Sequence, residues 1–455
     1  MKNTKYLLTF ICLCIGLSSI AHGKVTKQEA DKLRSSLTPL GGERAGNADG
    51  SIPPWRGGLQ FPPLNYTQPG QHHIDPFEED QPLFTVTSKN MGEYAKHLSE
   101  GQKALFKAYP DTFKMPIYKT RRTSAAPHWV YDNTYNNALT SELVTDGNGI
   151  KGAIGGIPFP IPKSGIEIIW NHNARWRGEY AVRRASEVAV QRDGDYSLIT
   201  TQAEIYFHYY KRGIDQAELD NVMFYYLSFT KAPARLAGGA ILAHETMNQY
   251  EEPRRAWGYN AGQRRVRKAP SIAYDTPVAA SDGLRTIDDT DMYNGSPDRY
   301  NWKTIGKKEV FIPYNNYRVG SPSVSYKQLL QPGHINPEFT RFEKHRVWVV
   351  EATLKADKRH IYHKRRFYID EDSWSAALVD QYDERGELWR VNMAYLKNYY
   401  ELPGIWTAMD VYHDLQARRY HVQGMINEER SAIDVSQSSP GSSYFTPQEL
   451  RRRSR

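Results

Sequence analysis

The chain has 455 residues, 59 Lys and Arg against 51 Asp and Glu, a formal charge of +8, and two cysteines. Both cysteines, Cys12 and Cys14, fall within the first 23 residues. A chain trimmed there has no thiol, which excludes disulfides, thiolate zinc sites, iron–sulfur clusters and cysteine nucleophiles.

The N-terminus reads as a secretory leader. Lys2 and Lys5 form a short basic region, Leu7 to Ile20 is apolar, and Ala21-His22-Gly23 offers small residues for cleavage after Gly23. The competing reading, a membrane anchor, needs about 20 apolar residues, more than this run supplies. Neither cysteine sits in a lipid-attachment pattern. Loss of Lys2 and Lys5 takes the charge from +8 to +6. An exported protein does not meet nucleic acid, so compartment excludes that partner more firmly than charge does. The pairs Arg121-Arg122, Arg183-Arg184, Arg254-Arg255 and Arg264-Arg265 read either as a solvated face or as a surface for anionic headgroups. The 31 tyrosines and 10 tryptophans suit half-buried strands, wet cavities and membrane interfaces alike.

After the leader, Thr26 and Glu29 form a capping box that predicts a short helix. Residues 38–87 are rich in Pro and Gly, as in Ser51-Ile52-Pro53-Pro54-Trp55, yet too apolar for a disordered linker. This predicts an extended arm laid across a folded body. Residues 88–109 predict a helix capped by Ser88, with a break near Gly101 where Ser99 and Gln102 make a second box. The stretch Ile150 to Pro162 is an apolar loop stiffened by Pro158, Pro160 and Pro162 and loosened by Gly152, Gly155 and Gly156. Ser164 and Glu167 then open a third helix.

From about residue 180 the apolar pattern has period two. Residues 254–268 predict a hairpin turning at Asn260 to Gln263. Residues 271–305, with Asp288-Asp289-Thr290-Asp291, read as a solvated acidic loop. Strands are predicted near 341–355, 360–370, 374–382, 387–399, 404–415 and 419–426, joined by turns so short that neighbours must run antiparallel. Several are apolar on both faces, as in Val347-Trp348-Val349-Val350, so both sides of the sheet are covered, either by a plain core or by a curved interior that holds a hydrophobic ligand. Residues from 428 to the final Arg451-Arg452-Arg453-Ser454-Arg455 read as a loosely held basic tail. The resulting division is 1–23 leader, 24–87 helix and arm, 88–427 helices with an antiparallel half-barrel, and 428–455 tail.

Motifs for chemistry fail one by one. Gly147-x-Gly149-x-x-Gly152 is followed by a Pro-rich loop instead of a helix. His244-Glu245-Thr246-Met247-Asn248 lacks the second histidine of a zinc motif. His360 and His363 point apart in a strand. His72-His73-x-Asp75 is a weak surface metal pattern, and Asp288, Asp289 and Asp291 lack EF-hand spacing. No catalytic residue, metal or cofactor is assigned. A carboxylate pair for glycoside hydrolysis stays open, because such a pair meets only in the fold.

Leu37 to Asn47 (Leu-Thr-Pro-Leu-Gly-Gly-Glu-Arg-Ala-Gly-Asn), Asp49 to Trp55, Gly155 to Pro162, Ile168-Ile169-Trp170-Asn171-His172, Trp257 to Arg267 and Asn336 to Trp348 together resemble an uncharacterised bacterial envelope family, domain of unknown function 1329. The resemblance implies a fold related to the periplasmic lipoprotein carriers LolA and LolB: mainly β with α, a curved, incomplete antiparallel barrel with helices plugging its open side. It also implies a setting beside RND-type transporters and outer-membrane barrels. It brings no catalytic residues, and the arm exceeds a simple carrier.

The expectation is therefore a non-enzymatic periplasmic carrier or accessory factor, able to make peripheral contact with the outer membrane, that binds a lipid or other hydrophobic ligand. Ile157, Phe159, Ile161, Ile169 and Trp170 are expected to form a movable lid, with Trp348, Val350 and Trp406 lining the cavity. Two alternatives are carried: an adaptor between an RND-type transporter and an outer-membrane barrel, and a carbohydrate- or lipid-active hydrolase.

Overall fold

The computed structural model describes residues 24–269 and 274–454; the predicted leader lies outside them. Helix α1 (Lys27–Ala30) is closed by the Thr26–Glu29 box in both directions. The arm that follows has little regular structure but is tied down: Ile52 and Trp55 are buried, and the Trp55 indole donates to the Ser124 carbonyl at 2.9 Å. Strand β1 (Phe84–Val86) pairs with β2 (Met115–Tyr118). Between them lies helix α2 (Glu100–Ala108). Helix α3 (His128–Thr140), the small ladder of β3 (Glu142–Leu143) and β4 (Ile150–Lys151), and helix α4 (Gly165–Asn173) complete the N-terminal third.

Two antiparallel meanders then share one sheet. The first runs β5 (Tyr180–Val190), β6 (Tyr196–Tyr206), β7 (Val222–Ala232), β8 (Ala240–Thr246), β9 (Arg255–Asn260) and β10 (Arg265–Lys268), with the short helix α5 (Gln216–Leu219) after β6. The second runs β11 (Tyr300–Pro313), β12 (Phe342–Leu354), β13 (Lys364–Asp370), β14 (Ala376–Tyr382), β15 (Leu388–Tyr399), β16 (Gly404–Asp414) and β17 (Arg419–Met425), with α6 (Tyr326–Leu329) after β11. They join where β17 pairs with β5, at Tyr420 opposite Val190 and Val422 opposite Val188. Strand β2 adds to β12 in parallel. Strand β10 ends the sheet on one side; at the other end β11 pairs only with β12, and the β2–β1 pair branches from β12. Strands β10 and β11 do not pair with each other, so the sheet stays open. Register slips at Tyr368/Ile369, Gln381/Tyr382, Tyr395/Leu396 and Val422/Met425 are bulges, and bulges bend and twist the strands that carry them. This is the mainly-β, curved, incomplete antiparallel barrel expected from the sequence.

Three expectations change. The helix of 88–109 begins only at Glu100; before it the chain makes turns, and the Ser88 hydroxyl donates to the Pro110 carbonyl instead of capping. The break expected near Gly101 falls at Leu98 and Ser99, where the Ser99–Gln102 box caps α2, and Gly101 lies inside the helix. It sits in the first turn of α2 because a Cβ there would stand 2.2 Å from the Asp380 carboxylate and 2.6 Å from Val391. Of the stretch 271–305 read as a solvated acidic loop, residues 271–273 lie outside the described residues and 274–305 are not a solvated loop, since Asp288, Asp289 and Met292 are buried and the 14-residue edge strand β11 starts at Tyr300. The stretch after 428 is not loose: Phe445 and Leu450 are buried against Tyr225, Leu227, Phe229 and Leu242, and helix α7 (Pro447–Arg453) packs on β8, β9 and β10. No helix among the described residues is long and apolar enough to cross a membrane.

Helix α2 docks on β14 through one carboxylate. Asp380 accepts from the Gly101 N–H at 3.0 Å, the Ser99 hydroxyl at 3.1 Å and the Tyr368 hydroxyl at 3.1 Å. Burial pushes this carboxyl up to about 6, against those bonds. The folded state therefore holds the proton more tightly than the unfolded chain. The group's contribution is full below about pH 4 and is lost as pH rises through 6. Asp380→Asn keeps the shape and removes the buried charge. It should flatten this dependence and raise stability at pH 7 by up to about 3 kcal/mol relative to wild type; urea melts at pH 4 and pH 7 measure both.

Candidate functional site

The inner face of the sheet is the one that carries Arg365, Gln381 and Arg390. These residues stand directly opposite one another on β13, β14 and β15, and Arg390 stands opposite Asp414 on β16. All four are buried. A row of buried polar groups across four strands needs partners. The segment 274–299, which connects the two sheet edges, supplies them. Asp288 accepts from Arg365 at 2.9 Å and meets His360 at 3.1 Å. Asp289 accepts from the Gln381 amide and, at 2.9 Å, from the Tyr362 hydroxyl. The Tyr412 hydroxyl donates to the Asp289 carbonyl at 3.1 Å. The segment is thus a strap laid across the inner face.

Helix α4 holds the other end of the strap. Arg175 and Arg177, just past the helix, both bind the Asp291 carboxylate, with one Arg175 contact at 2.9 Å. His172 contacts the Asp291 carbonyl at 2.8 Å. Burial raises the Asp291 carboxyl, but Arg175 and Arg177 together hold it well below the usual carboxylate range. Burial and then Arg175 push His172 down to about 3, so this imidazole is neutral. Nearby Asp410 has an unpartnered Oδ1, and burial, with Asp291 next, raises its carboxyl to about 7.

Ile169 and Trp170 belong to helix α4 and Val350 lies beneath it, while Trp406 and Ile161 lie elsewhere. Ile157, Ile169, Trp170 and Val350 are fully buried, Phe159 and Trp406 nearly so, and Trp348 packs against the same core. Helix α4 runs over β12: a Cβ on Gly165 would lie 3.1 Å from Val350. Trp406 lies 5.9 Å from Phe207 and 5.7 Å from Tyr399, at another part of the core. Ile161 packs with a separate small cluster around α1 and α3. Phe159 and Ile161 line a small pocket between Ala138 and Lys163. The loop is pinned at several points. The Asn171 side chain bonds both the N–H and the carbonyl of Phe159, at 2.8 and 2.7 Å, and Ile157 donates to Thr134 at 3.0 Å.

The arginine pairs are not a simple solvated face. Arg122 takes both oxygens of Asp372, at 2.6 and 2.8 Å, with both side chains buried. Arg254 pairs with the buried Glu245. His345, Asp370 and Asp372 lie close enough to hold a cation, but their donor set is already engaged. Arg122 occupies Asp372, and His345 sits between Glu343 at 3.2 Å and Asp370 at 3.5 Å. Burial opposes charge on His345, yet the two carboxylates raise it to about 9. A protonated imidazole has no lone pair for a metal. The cluster is an ion network.

Sequence reasoning missed Arg175, Arg177 and Arg365 as partners of the acidic run. The only local signal was the run itself, with Met292 and Tyr293 directly after it.

A model of the family described as "Protein of unknown function (DUF1329)" matches residues 85–451. The uncharacterized protein PA3922 of Pseudomonas aeruginosa is 48% identical over 452 residues, 99% of each chain. Among solved structures, an outer membrane lipoprotein-sorting protein domain from Vibrio parahaemolyticus covers 63% of this chain and 98% of its own, at 15% identity and a TM-score of 0.43. A DUF1329 family protein from Desulfovibrio piger covers 63% and 97%, at 13% and 0.43. A LolA superfamily protein from Nitrosomonas europaea covers 63% and 98%, at 11% and 0.37.

Proposed function

The chain belongs to the DUF1329 family, and from that premise we propose that it is an exported, periplasmic carrier or accessory factor, non-enzymatic, that binds an amphiphilic ligand on the inner face of its sheet. One observation carries the reading. The inner face is covered by pieces from outside the sheet, the strap and helix α4 with its Pro-rich loop, where a sandwich would have a second sheet. Under the cover lie Val350, Phe367 and Trp302, with Trp302 and the strap's own Tyr293 each within 5.7 Å of Phe367. Lifting the cover would open an apolar furrow. An acyl chain entering it gains roughly 0.8 kcal/mol per buried methylene.

In this reading the described form is the closed one, and the loop of Ile157, Phe159 and Ile161 is the movable part. Asp288 and Asp291 are held by Arg365, Arg175 and Arg177, and Asp410 is the inner-face acid with an unpartnered oxygen. The partners in the reading are a lipid or other hydrophobic small molecule and, downstream of it, transport machinery of the envelope such as an RND-type transporter.

Solvent extraction of protein purified from the envelope should recover a bound amphiphile at close to one per chain by mass spectrometry. Because the mature chain has no cysteine, a single thiol from Phe159→Cys reports on the loop: its labelling should be slow alone and faster with lipid vesicles. An empty extract together with a labelling rate that lipid does not change would overturn the proposal.

A further inference from the structure

A large cavity lies away from the inner face. It is a groove of about 1320 Å³ walled by four separate stretches: 68–78 of the arm, β5 with β6, the loop at 317–323, and 430–437. No residue predicted from the sequence to bind ligand lines it. Its volume exceeds the roughly 300–1,000 Å³ of compact small-molecule sites, which suits an extended ligand.

The lining mixes donors and acceptors. Carboxamides (Gln202, Gln437), guanidiniums (Arg183, Arg184, Arg318, Arg430) and carboxylates (Asp75, Glu78, Asp434) line the same space. A phosphate would meet donors but also those carboxylates. An acyl chain would leave the polar groups unpaired, at a cost of about 1–3 kcal/mol each. An extended peptide would need a free strand edge, and the stretch of β5 at the groove has none: Val182 and Asp434 already exchange both backbone bonds, at 2.9 and 2.8 Å. A hydroxyl both donates and accepts, and a row of hydroxyls is what this lining matches.

The floor adds a second observation. His73 is buried, and its Nε2 lies 2.9 and 3.0 Å from the two Glu401 oxygens, while its Nδ1 is buried without a hydrogen-bond partner. With Nε2–H donating to the carboxylate, Nδ1 is left as an acceptor. Burial, and then the charge of Lys397, push this imidazole down to about 4, so it stays neutral at physiological pH. His72, His73 and Asp75, read from the sequence as a weak metal pattern, are all groove residues here.

We propose that the groove is a binding site for a hydroxyl-rich glycan chain, held by Gln202, Arg430 and Gln437 on its walls and by His73 on its floor. This site is separate from the inner face, and its failure would leave the carrier reading untouched.

The mature protein should be titrated calorimetrically with two probes: dephosphorylated core oligosaccharide released from lipopolysaccharide, and peptidoglycan glycan strands stripped of peptide. Saturable binding to one of them is expected. The double variant Gln202→Ala with Arg430→Ala changes partly exposed positions and should weaken that binding at least tenfold with an unchanged melting temperature. His73→Phe, with folding checked by circular dichroism, should weaken it further. Heat from neither probe, equal binding by the double variant, or binding only to phosphorylated or peptide-bearing forms would overturn the proposal.

Discussion

Asp291→Asn should cost the folded chain about 3 kcal/mol, the lower end of what removing one partner from a buried ion pair costs. Asp291 is the single carboxylate between Arg175 and Arg177, whose side chains are only 2% and 8% exposed. The amide leaves both cations buried and uncompensated. Asn is the fitting replacement, because residue 291 has φ of 57°, in the left-handed region that Asn tolerates better than most residues. The sign with pH is fixed. The carboxyl is held below its usual range, so its stabilisation is present above the unfolded pKa and is lost as pH falls through the lower folded value. The gap between wild type and variant should therefore persist at pH 4 and close only in stronger acid. Since the same contact anchors the strap, the variant should also bind the apolar probe N-phenyl-1-naphthylamine more than wild type well below its urea midpoint. A loss under about 1 kcal/mol with unchanged probe binding would mean that the anchor is not needed.

His345→Gln should remove about 3 kcal/mol at pH 6.5, and the loss should fade by pH 9. Glu343 and Asp370 hold the imidazole protonated up to about 9, and each tenfold gain in proton affinity on folding corresponds to about 1.4 kcal/mol. A folded pKa raised above the unfolded value gives stability that is complete below pH 6.5 and disappears as pH climbs through 9. Lys397 works in the opposite direction in part of this window: burial lowers it to about 8, so the folded state is relieved as it deprotonates. The informative quantity is thus the difference between wild type and variant at each pH, from urea melts at constant slope. A gap that does not narrow between pH 6.5 and 9 would show that His345 is neutral in the fold.

The C-terminal meander was legible because its signals are local. Alternation within each strand and turns such as Asp383 to Gly386 set strands β12 to β17 within a few residues of their limits. Strand β11 was not legible. It is an edge strand with Lys303, Lys307, Lys308 and Glu309 along it, and edges carry charge to discourage further pairing, so its pattern resembles a loop. The acidic run failed for another reason. In sequence three nearby aspartates look solvated. Their cations stand 77 residues downstream, at Arg365, and 116 upstream, at Arg175, and nothing in either neighbourhood points to the other. Of the predicted ligand residues, Val350 and Trp406 sit on strands recognisable as apolar on both faces. That helix α4 lies over Val350 could not be read, because a cover leaves no periodicity in what it covers.

The joint between β5 and β17 also bears on when the molecule becomes itself. Strand β5 begins at Tyr180, and its partner ends at Met425. Until the chain is nearly complete, neither meander has a neighbour along that border, and the strap has no finished floor to lie on. Closing so long a span sets a large entropic toll before any contact repays it, and topologies of this kind fold slowly. For a chain exported unfolded, as proposed above, such a delay would be an advantage, since its own architecture postpones folding until β17 has arrived.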